Sequence, residues 1–173
     1  TTVAELQMWA MRVVSDKSLY RPCPKTGELM PAVAVDTENS GAEGPSGLDT
    51  RVVNGKAQIV TAGLCLSADG IEGLYVPLNH EDGNNLPLAA VVEVLQPLFD
   101  RSFLLFFNSK YDREVLIHAC GFTLRPYPYF EDVQASAMVP EPSTGPLSLG
   151  DATAALRSGG VTRHHHELHL VAA

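Results

Sequence analysis

Two short apolar runs, each closing on acidic and polar residues, constrain this chain more than any other feature. Ala32-Val33-Ala34-Val35 leads into Asp36-Thr37-Glu38, and Phe103-Leu104-Leu105-Phe106-Phe107 leads into Asn108-Ser109-Lys110-Tyr111-Asp112. Short apolar runs without polar alternation suit strands buried on both faces, as in a sheet covered by helices. Polar residues crowded at the end of such strands lie where open α/β sheets collect their ligands. Carboxylates at i and i+2 of an extended segment project from one face. Asp36 and Glu38 are thus spaced to share a hard divalent cation, which prefers oxygen ligands. If the two runs are neighbours in the sheet, Asp112 joins them at the same edge. Each acid alone also has an ordinary explanation. An Asp-x-Glu after a strand is commonly a solvated loop pair, and Asp112 can cap the helix that opens beside it.

Around these runs the pattern predicts the remaining elements. Leu6, Trp9, Ala10, Val13 and Val14 recur at helical spacing over 3–14, as do Leu88, Val91, Val92, Leu95 and Phe99 over 88–99. Trp9 reads as the packing anchor of the first of these helices. Residues 21–31, with three prolines and a glycine, read as loop, and 40–50 as a turn-rich surface loop. Strands at 58–67 and 73–78 flank Ala68-Asp69-Gly70, a hairpin signal. Residues 80–87 read as polar loop. A helix over 113–119 stops at Gly121. A strand-like patch covers 130–133, a Pro-rich turn 140–146 and a short helix 147–156. Early strands joined by short hairpins, then strands separated by helices, specify an α/β fold with a mixed β-sheet flanked by helices.

Length and composition narrow the function classes. At 173 residues, with 45% hydrophobic and 18% charged residues, the chain fits one domain with a sizeable core. No run approaches the roughly 18–20 apolar residues of a membrane span, and the first residues lack the order of a signal peptide, so no membrane partner is expected. Three cysteines (Cys23, Cys65, Cys120) without CxxC spacing point away from a disulfide framework or structural zinc and towards a reducing compartment. Net charge is −8. That disfavours a broad duplex-binding surface, but not a small site gripping a few phosphates through metal ions.

With these residues in place, the sequence resembles the 3′–5′ proofreading exonuclease domain of bacterial-type DNA polymerase I (family A), within the DEDD exonuclease superfamily. Val33-Ala34-Val35-Asp36-Thr37-Glu38 resembles the first exonuclease motif, and Asn108-Ser109-Lys110-Tyr111-Asp112-Arg113 the second. Leu74-Tyr75-Val76-Pro77-Leu78-Asn79-His80 is similar to the family's "tyrosine-isoleucine-proline … histidine" strand. Val94-Leu95-Gln96-Pro97-Leu98 is similar to the helix before the second motif, and residues 116–125 to the passage after it. Phe130-Glu131-Asp132-Val133 and Leu147-Ser148-Leu149 continue the likeness, which covers nearly all of residues 3–157 in order.

The resemblance implies a ribonuclease H-like fold spanning 1–173 as a single exonuclease domain. Asp36, Glu38 and Asp112 would be the catalytic carboxylates and the ligands of two divalent metal ions, Mg²⁺ or Mn²⁺. Thr37, Asn39, Leu48, Phe107, Asn108 and Tyr111 would line the substrate. Leu48 matches a leucine that wedges against the terminal base, and Asn39 stands where the family has Thr or Ser. The partner would be the single-stranded 3′ end of DNA, delivered by a polymerase domain on the same longer chain or on a second protein. The setting would be cytoplasmic or nucleoid-associated, with phage or organellar origin open. An alternative is a catalytically impaired relative retained as a nucleic-acid-binding or scaffold module.

One element of the pattern is absent. The family's third motif, Tyr-x-x-x-Asp, supplies a fourth carboxylate, and no such spacing follows Asp112. Residues 161–170 resemble the helix that follows that motif, so a segment between about 157 and 161 is expected to be missing. His164, His165, His166 and His169 in this tail read first as an exposed helix face and next as a remnant of a purification tag; a metal site is the least favoured reading, because consecutive helical residues point in different directions.

Overall fold

A computed structural model of the chain describes residues 1–41, 52–53, 56–57, 59–69, 72–81 and 83–138. Helix α1 (Val3–Ser15) opens with a capping box: Glu5 N donates to Thr2 Oγ1 at 3.2 Å while Thr2 N donates to Glu5 Oε2 at 2.6 Å. A 3-10 turn (Lys17–Leu19) leads into strand β1 (Tyr20–Pro22) and then β2 (Leu29–Gly41). Short β3 (Val52–Val53) and β4 (Lys56–Ala57) pair with each other. They precede β5 (Ile59–Ser67), β6 (Gly73–Pro77), helix α2 (Leu88–Phe99) and β7 (Phe103–Phe106). Helix α3 (Ser109–His118), β8 (Phe130–Asp132) and helix α4 (Val133–Met138) complete the order.

The architecture is α/β, a mixed six-stranded sheet flanked by helices. Its order is β6-β5-β2-β7-β8, with β1 paired to the start of β2. β5 runs antiparallel to both β2 and β6, whereas β7 is parallel to both β2 and β8. The main core lies on one face. There α1 (Leu6, Trp9, Val13) and α2 (Val91, Leu95, Phe99) pack on Val33, Val35, Leu64, Leu66, Val76, Leu104 and Phe106. A smaller cluster of Cys23, Met30, Phe103 and Leu105 fills part of the other face. All three cysteines are free thiols.

Several expectations need correction. Residues 21–31 are not all loop: β1 and the first part of β2 form an antiparallel ladder, Tyr20 opposite Pro31, across a turn containing Gly27 at φ +72°. Pro22 sits on this short outer strand, which tolerates it, Pro24 in the turn, and Pro31 in the last pair of the ladder. β2 to β5 is not a short hairpin, since the β3–β4 pair intervenes. Helix α3 begins at Ser109 rather than 113, and ends before Gly121 at φ +80°. Helix α4 was not anticipated. The Pro-rich turn (140–146), the helix at 147–156, the 157–161 junction and the histidine tail lie outside the described residues.

Candidate active site

The two apolar runs are neighbours. Ala32, Val33 and Ala34 of β2 lie beside Phe103, Leu104 and Leu105 of β7 in a parallel ladder, so both strands deliver their polar ends to the same edge. Beyond Ala34 that ladder ends while β2 runs on. There Asp112, in the first turn of α3, takes the place of a strand partner. Thr37 N donates to Asp112 Oδ1 at 3.2 Å and Thr37 Oγ1 donates to the same oxygen at 2.7 Å. Thr37 and Asp112 are both buried.

The pleat separates the acids of β2. Val35, Thr37 and Asn39 turn towards the core side, and Asp36 and Glu38 project from the other face, where both are exposed. Cys65, cross-strand from Asp36, shares that face. The ladder with β5 then shifts by one residue after Glu38. This bulge lets Asn39 stay opposite Thr61 on the core side, a device often found beside active sites.

Electrostatics tie the three carboxylates in pairs. The Asp36 carboxyl is raised above its ordinary value, first by desolvation and then by the Glu38 charge. Asp112 is pushed up to about 6, chiefly by burial with Asp36 adding like-charge repulsion, against the opposing hydrogen bonds from Thr37 and Asn108. Burial and the charges of Asp36 and Glu38 also raise the Cys65 thiol. No cationic side chain is among the causes acting on Asp36 or Asp112.

The remaining predicted residues fall around this core of the site. Asn39 Nδ2 donates to Thr37 O at 3.1 Å and to Thr37 Oγ1 at 2.9 Å, while Asn39 Oδ1 is buried with no hydrogen-bond partner among the described residues. Burial raises the Tyr111 phenol, and a hydrogen bond from Asn39 opposes the shift. Asn108 is the exposed N-cap residue of α3, but its side chain makes no capping bond. Phe107 is half-buried at the end of β7, its carbonyl accepting from Gln134 N at 3.2 Å. Thr37 is buried, and both its N and its Oγ1 donate to Asp112. Leu48 lies outside the described residues.

Sequence reasoning did not find Asp132, which caps α3 from the neighbouring strand. Ser109 N and Oγ donate to Asp132 Oδ2 at 2.9 and 2.8 Å. Only tertiary structure makes that cap, because Asp132 lies 23 residues from Ser109. The carboxyl thus holds the first turn of α3, and with it Asp112, against the sheet.

The donor chemistry fits a hard divalent cation in kind. Three carboxylates, Asp36 raised in part by the Glu38 charge and Asp112 in part by the Asp36 charge, and an orphaned carbonyl oxygen on Asn39 are oxygen donors. In number it falls short of the expected cluster. Among the described residues, no three His, Cys, Asp or Glu side chains form a group that could hold a metal ion. Asp112 reaches β2 through Thr37, whose side chain leaves the strand on the face opposite Asp36 and Glu38. Among the described residues, no helix is long and apolar enough to cross a membrane. No protein-family model matches the chain, and no curated protein matches it.

Proposed function

We propose that the chain is a 3′–5′ exonuclease domain of the proofreading type, with a ribonuclease H-like fold, acting on the single-stranded 3′ end of DNA. The observation that carries this reading is the Thr37–Asp112 contact. It brings Asp112, in the helix that follows β7, against Thr37, between Asp36 and Glu38 on the neighbouring parallel strand, which supports a meeting of the two motif-like segments. Asp36, Glu38 and Asp112 would hold Mg²⁺ or Mn²⁺, with Asn39 Oδ1 a further oxygen donor. When bound, two such ions supply activation of a water and stabilisation of the leaving 3′ oxygen. The chain's own part is positional. Thr37 orients Asp112, Asp132 fixes the helix that carries it, and Tyr111 and Phe107 offer aromatic surfaces at the edge for unpaired bases. A polymerase module delivering the strand reconciles this with a net charge of −8.

A second reading is favoured by one observation, the lack of a three-residue metal group among the described residues. On it, the fold serves as a catalytically impaired nucleic-acid-binding module. Digestion of a 5′-labelled single-stranded DNA with Mn²⁺ separates the two. The exonuclease yields a ladder shortening from the 3′ end that Asp36→Ala abolishes. Retention of DNA binding without any ladder from the wild-type protein overturns the first reading in favour of the second.

A further inference from the structure

The sheet face that carries Asp36 and Glu38 extends across two more strands, and a second polar construction stands on it. Register places Glu38, Gly63 and Pro77 in one row across β2, β5 and β6, and Asp36, Cys65 and Tyr75 in the next. Residues directly opposite share a face. Tyr75 therefore leaves the sheet on the Asp36 side, 37% exposed rather than packed in the core. Its ring leans diagonally over Gly63, where any Cβ would run into the phenol oxygen and the adjoining ring carbons. The absent side chain of Gly63 is thus the space the phenol occupies. Glu38 lies opposite, and opposed residues of antiparallel strands have Cβ positions about 5 Å apart. The Tyr75 hydroxyl consequently stands at the Glu38 end of the acid pair.

The hydroxyl is held from its other side by His80. The His80 Nε2 is hydrogen-bonded to Tyr75 Oη, with the rings edge to face at a centroid separation of 5.5 Å and 66°. The loop after β6 is braced to keep the imidazole there. His80 N donates to Asn85 Oδ1 at 2.7 Å, Asn85 Nδ2 donates to His80 O at 2.8 Å, and Asn79 Nδ2 donates to Thr61 O at 2.9 Å. Beside the pair opens a cavity of about 510 Å³, lined by Thr1, Tyr75, Pro77, His80 and Asn84. With its proton on Nε2 the imidazole donates to Oη, and a phenol that accepts there can donate its own hydrogen in another direction.

We infer that Tyr75, oriented by His80, is a ligand-binding residue of the Asp36–Glu38 site, donating a hydrogen bond to a phosphate oxygen of a nucleotide held there. The nucleotide chemistry rests on the exonuclease reading; the hydroxyl, its partner and its place beside Glu38 do not. The test pairs calorimetric titration of the protein with thymidine 5′-monophosphate and Mn²⁺ with the single-strand digestion. Tyr75→Phe keeps the ring over Gly63 and removes only the hydroxyl. It is expected to weaken nucleotide affinity about tenfold, as loss of a hydrogen bond to a charged group does, with an unchanged melting midpoint. His80→Gln, still able to donate to Oη, is expected to retain more affinity than His80→Leu. Nucleotide affinity unaffected by Tyr75→Phe overturns the inference, as does a wild-type protein that binds no nucleotide. Weakened binding in Tyr75→Phe without digestion by any of these proteins upholds the inference and sinks the exonuclease reading. Digestion by the wild type with Tyr75→Phe indistinguishable in both assays does the reverse.

Discussion

The two faces of the central sheet are built from the same strands and obey different physics. On the core face Val33, Val35, Leu64, Leu66, Val76 and Leu104 are nearly inaccessible under α1 and α2. On the other face Asp36, Glu38, Cys65 and Tyr75 alternate with them and stay half-buried or exposed. Burial of apolar area, at roughly 25 cal/mol per Å², concentrates stability on the first face. The second is then able to carry unneutralised carboxylates and a glycine gap, features that would be costly in a packed interior. The Asp112–Thr37 contact is where the two regimes meet, since a charged group there is buried on the core side of the strand edge.

The sharpest way to break this comparison is to truncate one residue on each face. Leu95→Ala, at a fully buried position of α2, is expected to lower stability by about 2–5 kcal/mol, read from urea unfolding. Cys65→Ala on the other face is expected to change it by less than about 1 kcal/mol. Equal losses would mean that the second face is as much a core as the first.

Next in size is the pH dependence of the buried acid. Asp112 titrates near 4 when unfolded and at about 6 when folded, so the native state holds its proton more tightly. Below pH 4 both states are protonated and the group is neutral to stability. As pH rises from 4 to 6 the unfolded chain ionises first and native stability falls, by about 3 kcal/mol in all. Asp112→Asn removes that contribution, so the difference between the two proteins' urea midpoints should grow through this window in the mutant's favour. A pH-independent difference would show that Asp112 is not desolvated as its surroundings require. Thr37→Val sharpens the same point with a smaller effect. Losing the 2.7 Å donor while keeping the shape is expected to cost about 1–2 kcal/mol above pH 6, and to move the Asp112 titration further up.

What the sequence made legible follows the same division. Periodicity located α1 and β5 within a residue or two and α2 to the residue, because burial of one apolar face is what that periodicity encodes. The strand-end acids were legible as well, since an apolar run closing on Asp36 or leading to Asp112 is a local pattern. Contacts made at long range were not. Asp132 capping α3 and Thr37 turning inward to Asp112 join residues 23 and 75 apart and depend on how the strands and helix are brought together, which no local spacing reveals. β1 was obscured by the prolines at 22, 24 and 31, which usually mark loops; here Pro22 and Pro31 sit in the two end pairs of a short outer ladder.

The smallest expected effect on stability is also the most discriminating for the open face. Gly63→Ala places a methyl where the Tyr75 phenol lies, and the nearest atoms are the far end of that side chain rather than backbone. The ring can swing outward, so the melting transition should move little, by less than about 1 kcal/mol. The swing separates Oη from His80 and from the Glu38 end of the acids, so nucleotide affinity should fall as far as in Tyr75→Phe. Combining the two substitutions should then add nothing, because both remove the same hydroxyl from the same place. A large loss of stability in Gly63→Ala would show instead that the ring is held as part of the packed structure. Additive losses of affinity would mean that Gly63 acts on the site by a route other than Tyr75.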